Sequence, residues 1–271
     1  MYRNPGEGLI ANRLSKIEKD LLDRDSAQTN LDKIKKLYEF LFVTNESYPS
    51  LQMKLNFVEW KVFHETRVGT LGERISAVEN LVVGKPSTEP LAFRLEQLVQ
   101  VAVESGIVAL HKVKVPKGTK ILVRLEKQIS SKETRAGSEA FFNVANDLFI
   151  DENVLVLSKG EPISGDVDVA KRGRSFGRSG HLVLTVNSIP SLDGTDLGVS
   201  LVGLAQELDK KKLGIAVAAS GVGYLALGPV GLIGGIFVKG KDVQFPAGTE
   251  FLVSTAEDKH VFGIVARKEK M

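Results

Sequence analysis

Five times between residues 13 and 103 a cation is followed at once by an aliphatic side chain, then by another three places on, then by an apolar pair. The units read Arg13-Leu14, Ile17, Leu21-Leu22; Lys33-Ile34, Leu37, Leu41-Phe42; Lys54-Leu55, Val58, Val62-Phe63; Arg74-Ile75, Val78, Val82-Val83; and Arg94-Leu95, Leu98, Ala102-Val103. They start 20, 21, 20 and 20 residues apart, a fixed period that marks an internal repeat. Within each unit the apolar positions keep helical spacing, which predicts five amphipathic helices of about three turns each. Breakers separate them at Asn45 to Pro49, at Gly69 with Gly72 and at Gly84 to Pro90, where Ser87-Thr88-Glu89-Pro90 reads as a helix start. Helices this short are marginal alone in water, so the units must stack on each other or on a partner. Trp60 falls between the apolar positions of its unit, at the margin of a packing face, and His64 follows at a helix end, in a capping or solvated role.

From about Val108 the period changes to two. Alternation predicts strands at 120–126, 141–145, 154–157, 163–170, 182–189, 198–202, 250–255 and 261–266. Eight short strands with turns between them suggest a barrel or sandwich. One turn recurs: Val115-Pro116-Lys117-Gly118-Thr119 matches Phe245-Pro246-Ala247-Gly248-Thr249, and Leu157-Ser158-Lys159-Gly160-Glu161 is a looser copy. Proline presets the first turn dihedral and glycine takes the position hostile to a side chain. The predicted fold class is therefore α+β, with helical repeats over 1–107 and an antiparallel β domain over 108–271.

Between the last strands lies a charge-free run of 26 residues, Leu213 to Val238, bounded by Lys210, Lys211 and Lys212 before it and Lys239 and Lys241 after it. As one helix it would rise about 39 Å, against roughly 30 Å of bilayer hydrocarbon. Seven glycines and Pro229 break it, which predicts a hairpin with a long arm from Leu213 to Leu227 and a short arm from Val230 to Val238. Small residues four apart, Gly214 with Ala218 and Gly231 with Gly235, let neighbouring helices approach closely. The hairpin residues singled out are Leu213, Gly214, Ala218, Gly221, Gly223, Pro229, Gly231, Gly235 and Val238. A strand hairpin, a buried hairpin in a soluble core and a single-pass helix remain open alternatives, because periodicity alone does not separate them.

Composition narrows the chemistry. The 271 residues are 43% hydrophobic and 25% charged, ordinary globular material. The net charge of +3 is the difference between 36 basic and 33 acidic residues and points to no partner by itself. Cysteine is absent, which excludes disulfides and thiolate sites. His64, His111, His181 and His260 make no metal spacing. Asp147, Asp151 and Glu152 do not follow a calcium-loop pattern, and Ser130-Ser131-Lys132 has neither base nor oxyanion hole in view. No enzyme, cofactor or metal is expected. Lys171, Arg172, Arg174 and Arg178 form a local cluster of four cations without an intervening acid, a solvated loop or a contact for anions at an envelope: lipid head groups, lipopolysaccharide phosphates or an acidic patch on a neighbouring copy. No aromatic platform beyond Phe176 accompanies it, so nucleic acid is not an expected partner.

The ordered set Pro116-Lys117-Gly118-Thr119, Leu122-Val123-Arg124-Leu125, Ile129-Ser130-Ser131, Gly137, Leu157 to Gly160, Gly165-Asp166-Val167, Arg172-Gly173-Arg174, Leu182 to Val186 and Asp193-Gly194-Thr195 resembles the β domain of TrbI-like proteins of conjugation and type IV secretion machines. The resemblance spans about residues 113–266. It implies a distorted β-barrel that assembles into a ring and carries an apolar hairpin across the outer membrane. In place of the family's cytoplasmic segment, inner-membrane helix and proline-rich linker, this chain has its repeats. The expectation is a non-enzymatic structural protein of a bacterial envelope, periplasmic or in the outer membrane: a homo-oligomer touching membrane lipid through the hairpin, its repeats available to an envelope protein. The other reading is a soluble partner-binding module whose hairpin is core. Residues 1–16 hold no apolar stretch of the kind a secretory signal needs, so export would rest on another route or a signal removed beforehand.

Overall fold

The structure is a computed structural model that describes residues 8–173, 180–204, 235–240 and 243–266. All five predicted helices are present: α1 (Ile10–Leu22), α2 (Asn30–Phe42), α3 (Leu51–Phe63), α4 (Leu71–Val82) and α5 (Leu91–Ala102). Local chemistry sets their ends. Thr29, Ser50 and Thr70 cap α2, α3 and α4 by accepting the backbone N–H of the third residue on, and Glu73 returns the bond to Thr70 as a capping box. Asp23 and His64 end α1 and α3 in the left-handed region, with φ of 51° and 58°. His64 is thus an exposed C-cap. The helices form a bundle in which α3 packs on α2, α4 and α5, and α1 packs on α2 and α5.

The β domain comprises β1 (Leu110–Val115), β2 (Lys120–Leu125), β3 (Ile129–Ser130), β4 (Glu139–Val144), β5 (Leu148–Ile150), β6 (Val154–Leu157), β7 (Pro162–Lys171), β8 (Gly180–Thr185), β9 (Ser188–Pro190), β10 (Asp196–Leu204), β11 (Gly235–Gly240), β12 (Gln244–Phe245), β13 (Glu250–Thr255) and β14 (Lys259–Val265). An eight-stranded antiparallel sheet runs β11-β8-β7-β4-β2-β13-β10-β9, a four-stranded sheet runs β1-β14-β6-β5, and β12 pairs with β3. Near the far ends of the large sheet, β10 and β11 come within contact distance, with no hydrogen-bonded ladder between them among the described residues. The predicted strand 182–189 is divided between β8 and β9.

Of the predicted hairpin, residues 213–234 lie outside the described residues. Its last four, 235–238, are strand rather than helix: Gly235 pairs with Thr185 and Val238 with Leu182 across β8. A run of small and aliphatic residues carries no period that distinguishes the two, so ladder pairing decided it.

Two cores meet at the four-stranded sheet. Val113, Val115, Val154, Val156 and Val261 face the large sheet, whose Phe142 and Phe251 meet edge to face, with Phe245 of β12 edge to face on Phe251. Leu155, Ile264 and the adjoining Ala266 and Leu192 instead join the helical core with Leu55, Val58 and Leu98. Every residue of β6 is consequently buried, which explains why Val154-Leu155-Val156-Leu157 is a continuous apolar run. The repeats and the sheets share apolar packing.

Candidate functional site

In three of the five repeats the opening cation reaches back to an acid fifteen residues earlier. Arg74 donates from Nε to Glu59 Oε1 at 2.9 Å and from Nη2 to Glu59 Oε2 at 2.6 Å. Arg94 repeats this with Glu79 at the same two distances, and Lys33 Nζ sits 3.2 Å from Glu18 Oε2. Each acid also accepts a backbone N–H eight residues on: Glu18 from Ser26, Glu59 from Arg67 and Glu79 from Ser87. Each cation donates to a polar side chain eighteen residues back: Lys33 to Ser15, Arg74 to Asn56, Arg94 to Ser76. Glu18, Glu59 and Glu79 therefore fasten one helix, the loop after it and the next helix together. Burial pushes the Glu18 carboxyl up, but hydrogen bonds from Ser26 and Lys33 outweigh it and hold the group below its ordinary value. The ladder omits one rung: Tyr38 stands where α2 would supply the acid, and Lys54 pairs with Glu96 of α5 instead.

The third rung ends on the β domain. The turns at Pro116, Ser158 and Pro246 share one geometry, with Gly118, Gly160 and Gly248 at φ of 84°, 86° and 85°. The fourth residue's N–H returns to the first carbonyl at 3.2, 3.3 and 3.2 Å, the arrangement of a type II turn. In two copies that fourth residue is Thr119 or Thr249, whose hydroxyl also bonds the same carbonyl at 2.7 Å. In the third it is Glu161, whose buried side chain points into the helices. Asn56 Nδ2 donates to Glu161 Oε2 at 3.4 Å while Asn56 Oδ1 accepts from Arg74. Thr66 meets the turn as well, through its N–H to the Lys159 carbonyl at 2.7 Å and its hydroxyl to Ser158. Gly160 has no alternative here, since a Cβ would overlap the Thr66 carbonyl oxygen. Burial pushes the Glu161 carboxyl up to about 7; the Arg74 charge and a Thr66 hydrogen bond oppose the rise, and the Glu59 charge adds to it.

Trp60 closes the other side of this junction. It lies flat against Phe57 and edge-on to Phe149 of β5, and its Nε1 donates to Asp147 Oδ2 at 2.8 Å. Asp147 also accepts the Lys159 N–H at 2.7 Å, so one carboxylate fastens both α3 and the Ser158 turn.

The residues singled out from sequence stand elsewhere. Lys171 ends β7 opposite His181 of β8, exposed, and Arg172 follows it, also exposed; Arg174 and Arg178 lie outside the described residues. Of the hairpin set only Gly235 and Val238 are described, on β11; Leu213, Gly214, Ala218, Gly221, Gly223, Pro229 and Gly231 are not. Asp193 of the resemblance has a structural task, accepting from Ser191, from the Thr195 N–H and from the Phe262 N–H of β14. Among the described residues no group of three potential metal ligands occurs, and no helix is long and apolar enough to cross a membrane. The buried acids of the ladder and Glu161 escaped the sequence reading, although three of the five units carry glutamate five places after the cation and the third turn departs from threonine. Compared with models of known protein families and with curated proteins, the chain matches none.

Proposed function

We propose that this chain is a non-enzymatic structural protein of a bacterial cell envelope. Copies associate through a TrbI-like β domain, in the form of a distorted barrel, and place the charge-free segment 213–234 against membrane lipid and neighbouring copies. The observation that supports it most directly is where that segment is anchored. The chain leaves the described sheet at Leu204 of β10 and re-enters at Gly235 of β11, and these two strands lie within contact distance of one another. The two strands that flank residues 205–234 thus lie within reach of each other, as an inserted hairpin requires. In an assembly, several hairpins together satisfy backbone groups and bury small-residue faces that one alone leaves open.

The test is light scattering of the full chain with and without detergent, beside Gly221→Arg and a variant lacking 213–234. The deletion stops before Gly235 because β11 pairs with β8. The reading expects the full chain to need detergent or form a large defined oligomer, and both variants to lose liposome association while keeping β-rich circular dichroism. Unchanged liposome association of Gly221→Arg overturns it. A soluble monomeric full chain whose deletion unfolds would instead make the hairpin core.

A further inference from the structure

We propose that the junction between the helical repeats and the β domain is a proton-operated latch: Glu161 docks against Asn56 and Thr66 as the neutral acid, and its ionisation loosens the repeats from the sheet.

The count of charges at the junction carries this. Two carboxylates, Glu59 of α3 and Glu161 of the β6–β7 turn, face a single guanidinium, Arg74 of α4. Glu59 already takes Arg74 through both Nε and Nη2, and Asn56 Oδ1 takes Nη2 again at 2.6 Å. Glu161 is left with the Asn56 amide at 3.4 Å and the Thr66 hydroxyl. The neighbouring rung has no such surplus: Arg94 meets Glu79 and the neutral Ser76. A second buried acid beside a guanidinium already paired has no partner for its charge, and keeping its proton is the low-cost state.

The remaining charged groups stand outside the latch. Lys159 Nζ and Glu65 Oε2 pair at 3.2 Å on the rim, both about half exposed. Asp147 is occupied by Trp60 Nε1 and the Lys159 N–H. His64, two residues before Thr66, is exposed. Glu161 is therefore the titrating group that the docked geometry isolates from water. Because the Thr66 N–H to Lys159 carbonyl bond crosses the junction, and because Trp60 is the single tryptophan and packs across the same junction on Phe149, both report its opening directly.

The experiment uses the full chain, in detergent if monodispersity requires it, from about pH 4 to about pH 9. Hydrogen exchange at the Thr66 amide is corrected for intrinsic base catalysis and followed beside tryptophan emission. The expected result is a red shift of Trp60 emission and opening at Thr66 that grows by up to about tenfold per pH unit between about 4.5 and 7 and levels off once Glu161 is ionised in the docked state, with far-UV circular dichroism unchanged. Glu161→Gln, which mimics the protonated acid, holds blue emission and slow exchange throughout, and His64→Gln retains the wild-type transition. The latch is overturned by pH-independent opening of the wild type, by the same transition in Glu161→Gln, or by its loss in His64→Gln. Should Glu161→Gln fail to fold, the wild-type and His64→Gln profiles decide alone.

Discussion

Glu79 holds Arg94 through two parallel hydrogen bonds, at 2.9 and 2.6 Å, fifteen residues apart in sequence and across a helix–helix contact. The pair is buried, with side-chain exposures of 5% for Glu79 and 9% for Arg94. Removing the cation alone strands the carboxylate, so Arg94→Ala is expected to cost about 3–5 kcal/mol. Lys54→Ala removes a partner of the half-exposed Glu96 and is expected to cost under about 1 kcal/mol. Urea unfolding of the two variants side by side gives the difference; equal losses would mean the ladder is ordinary surface pairing.

Gly118 and Gly160 share a backbone conformation and differ in surroundings. A Cβ at Gly118 meets open space, whereas at Gly160 it meets the Thr66 carbonyl. Gly118→Ala should cost about 1–2 kcal/mol, the left-handed strain alone. Gly160→Ala should cost more and red-shift Trp60 emission, because the turn must back away from α3. Thermal unfolding with emission spectra of both variants checks this.

Global stability should fall with rising pH between about 4.5 and 7. The Glu161 carboxyl is raised in the folded protein from 4.5 to about 7, so over that window the folded state binds more protons than the unfolded one. Its contribution is complete below the unfolded value and is lost as pH climbs through the folded one. At ~1.4 kcal/mol per unit the swing is on the order of 3 kcal/mol. Denaturant midpoints measured across the window should slope downward in the wild type and less steeply in Glu161→Gln.

Trp60→Phe keeps an aromatic ring against Phe57 and Phe149 but removes the donor to Asp147. A hydrogen bond to a charged acceptor contributes roughly 1.5–3 kcal/mol, and that loss is expected in chemical denaturation. A value near zero would place the Trp60 contribution in its ring alone.

The repeat was legible because apolar periodicity and capping are local. Thr29, Ser50 and Thr70 start helices within three residues of themselves, and the cation-aliphatic pattern located all five. The eight predicted strands also fall on observed ones, with ends displaced by a few residues. β3, β5 and β12 went unread because two or three residues carry no period. β1 alternates but lies outside the predicted strands, and β11 falls on the predicted short hairpin arm. Glutamate in three of five units was visible, but its meaning required the next helix to lie within reach.

The sequence by itself determined a repeating helical half, a β half, a turn used three times and an apolar run free of charge, since each rests on spacing, composition or backbone preference within a few residues. Only the tertiary structure decided that Glu59 takes both inward donors of Arg74, that β6 is buried on both faces, and that the third turn presents Glu161 to the repeats rather than to water. Those outcomes depend on which surfaces meet and on how many charges share one buried space, and neither is written in local order along the chain.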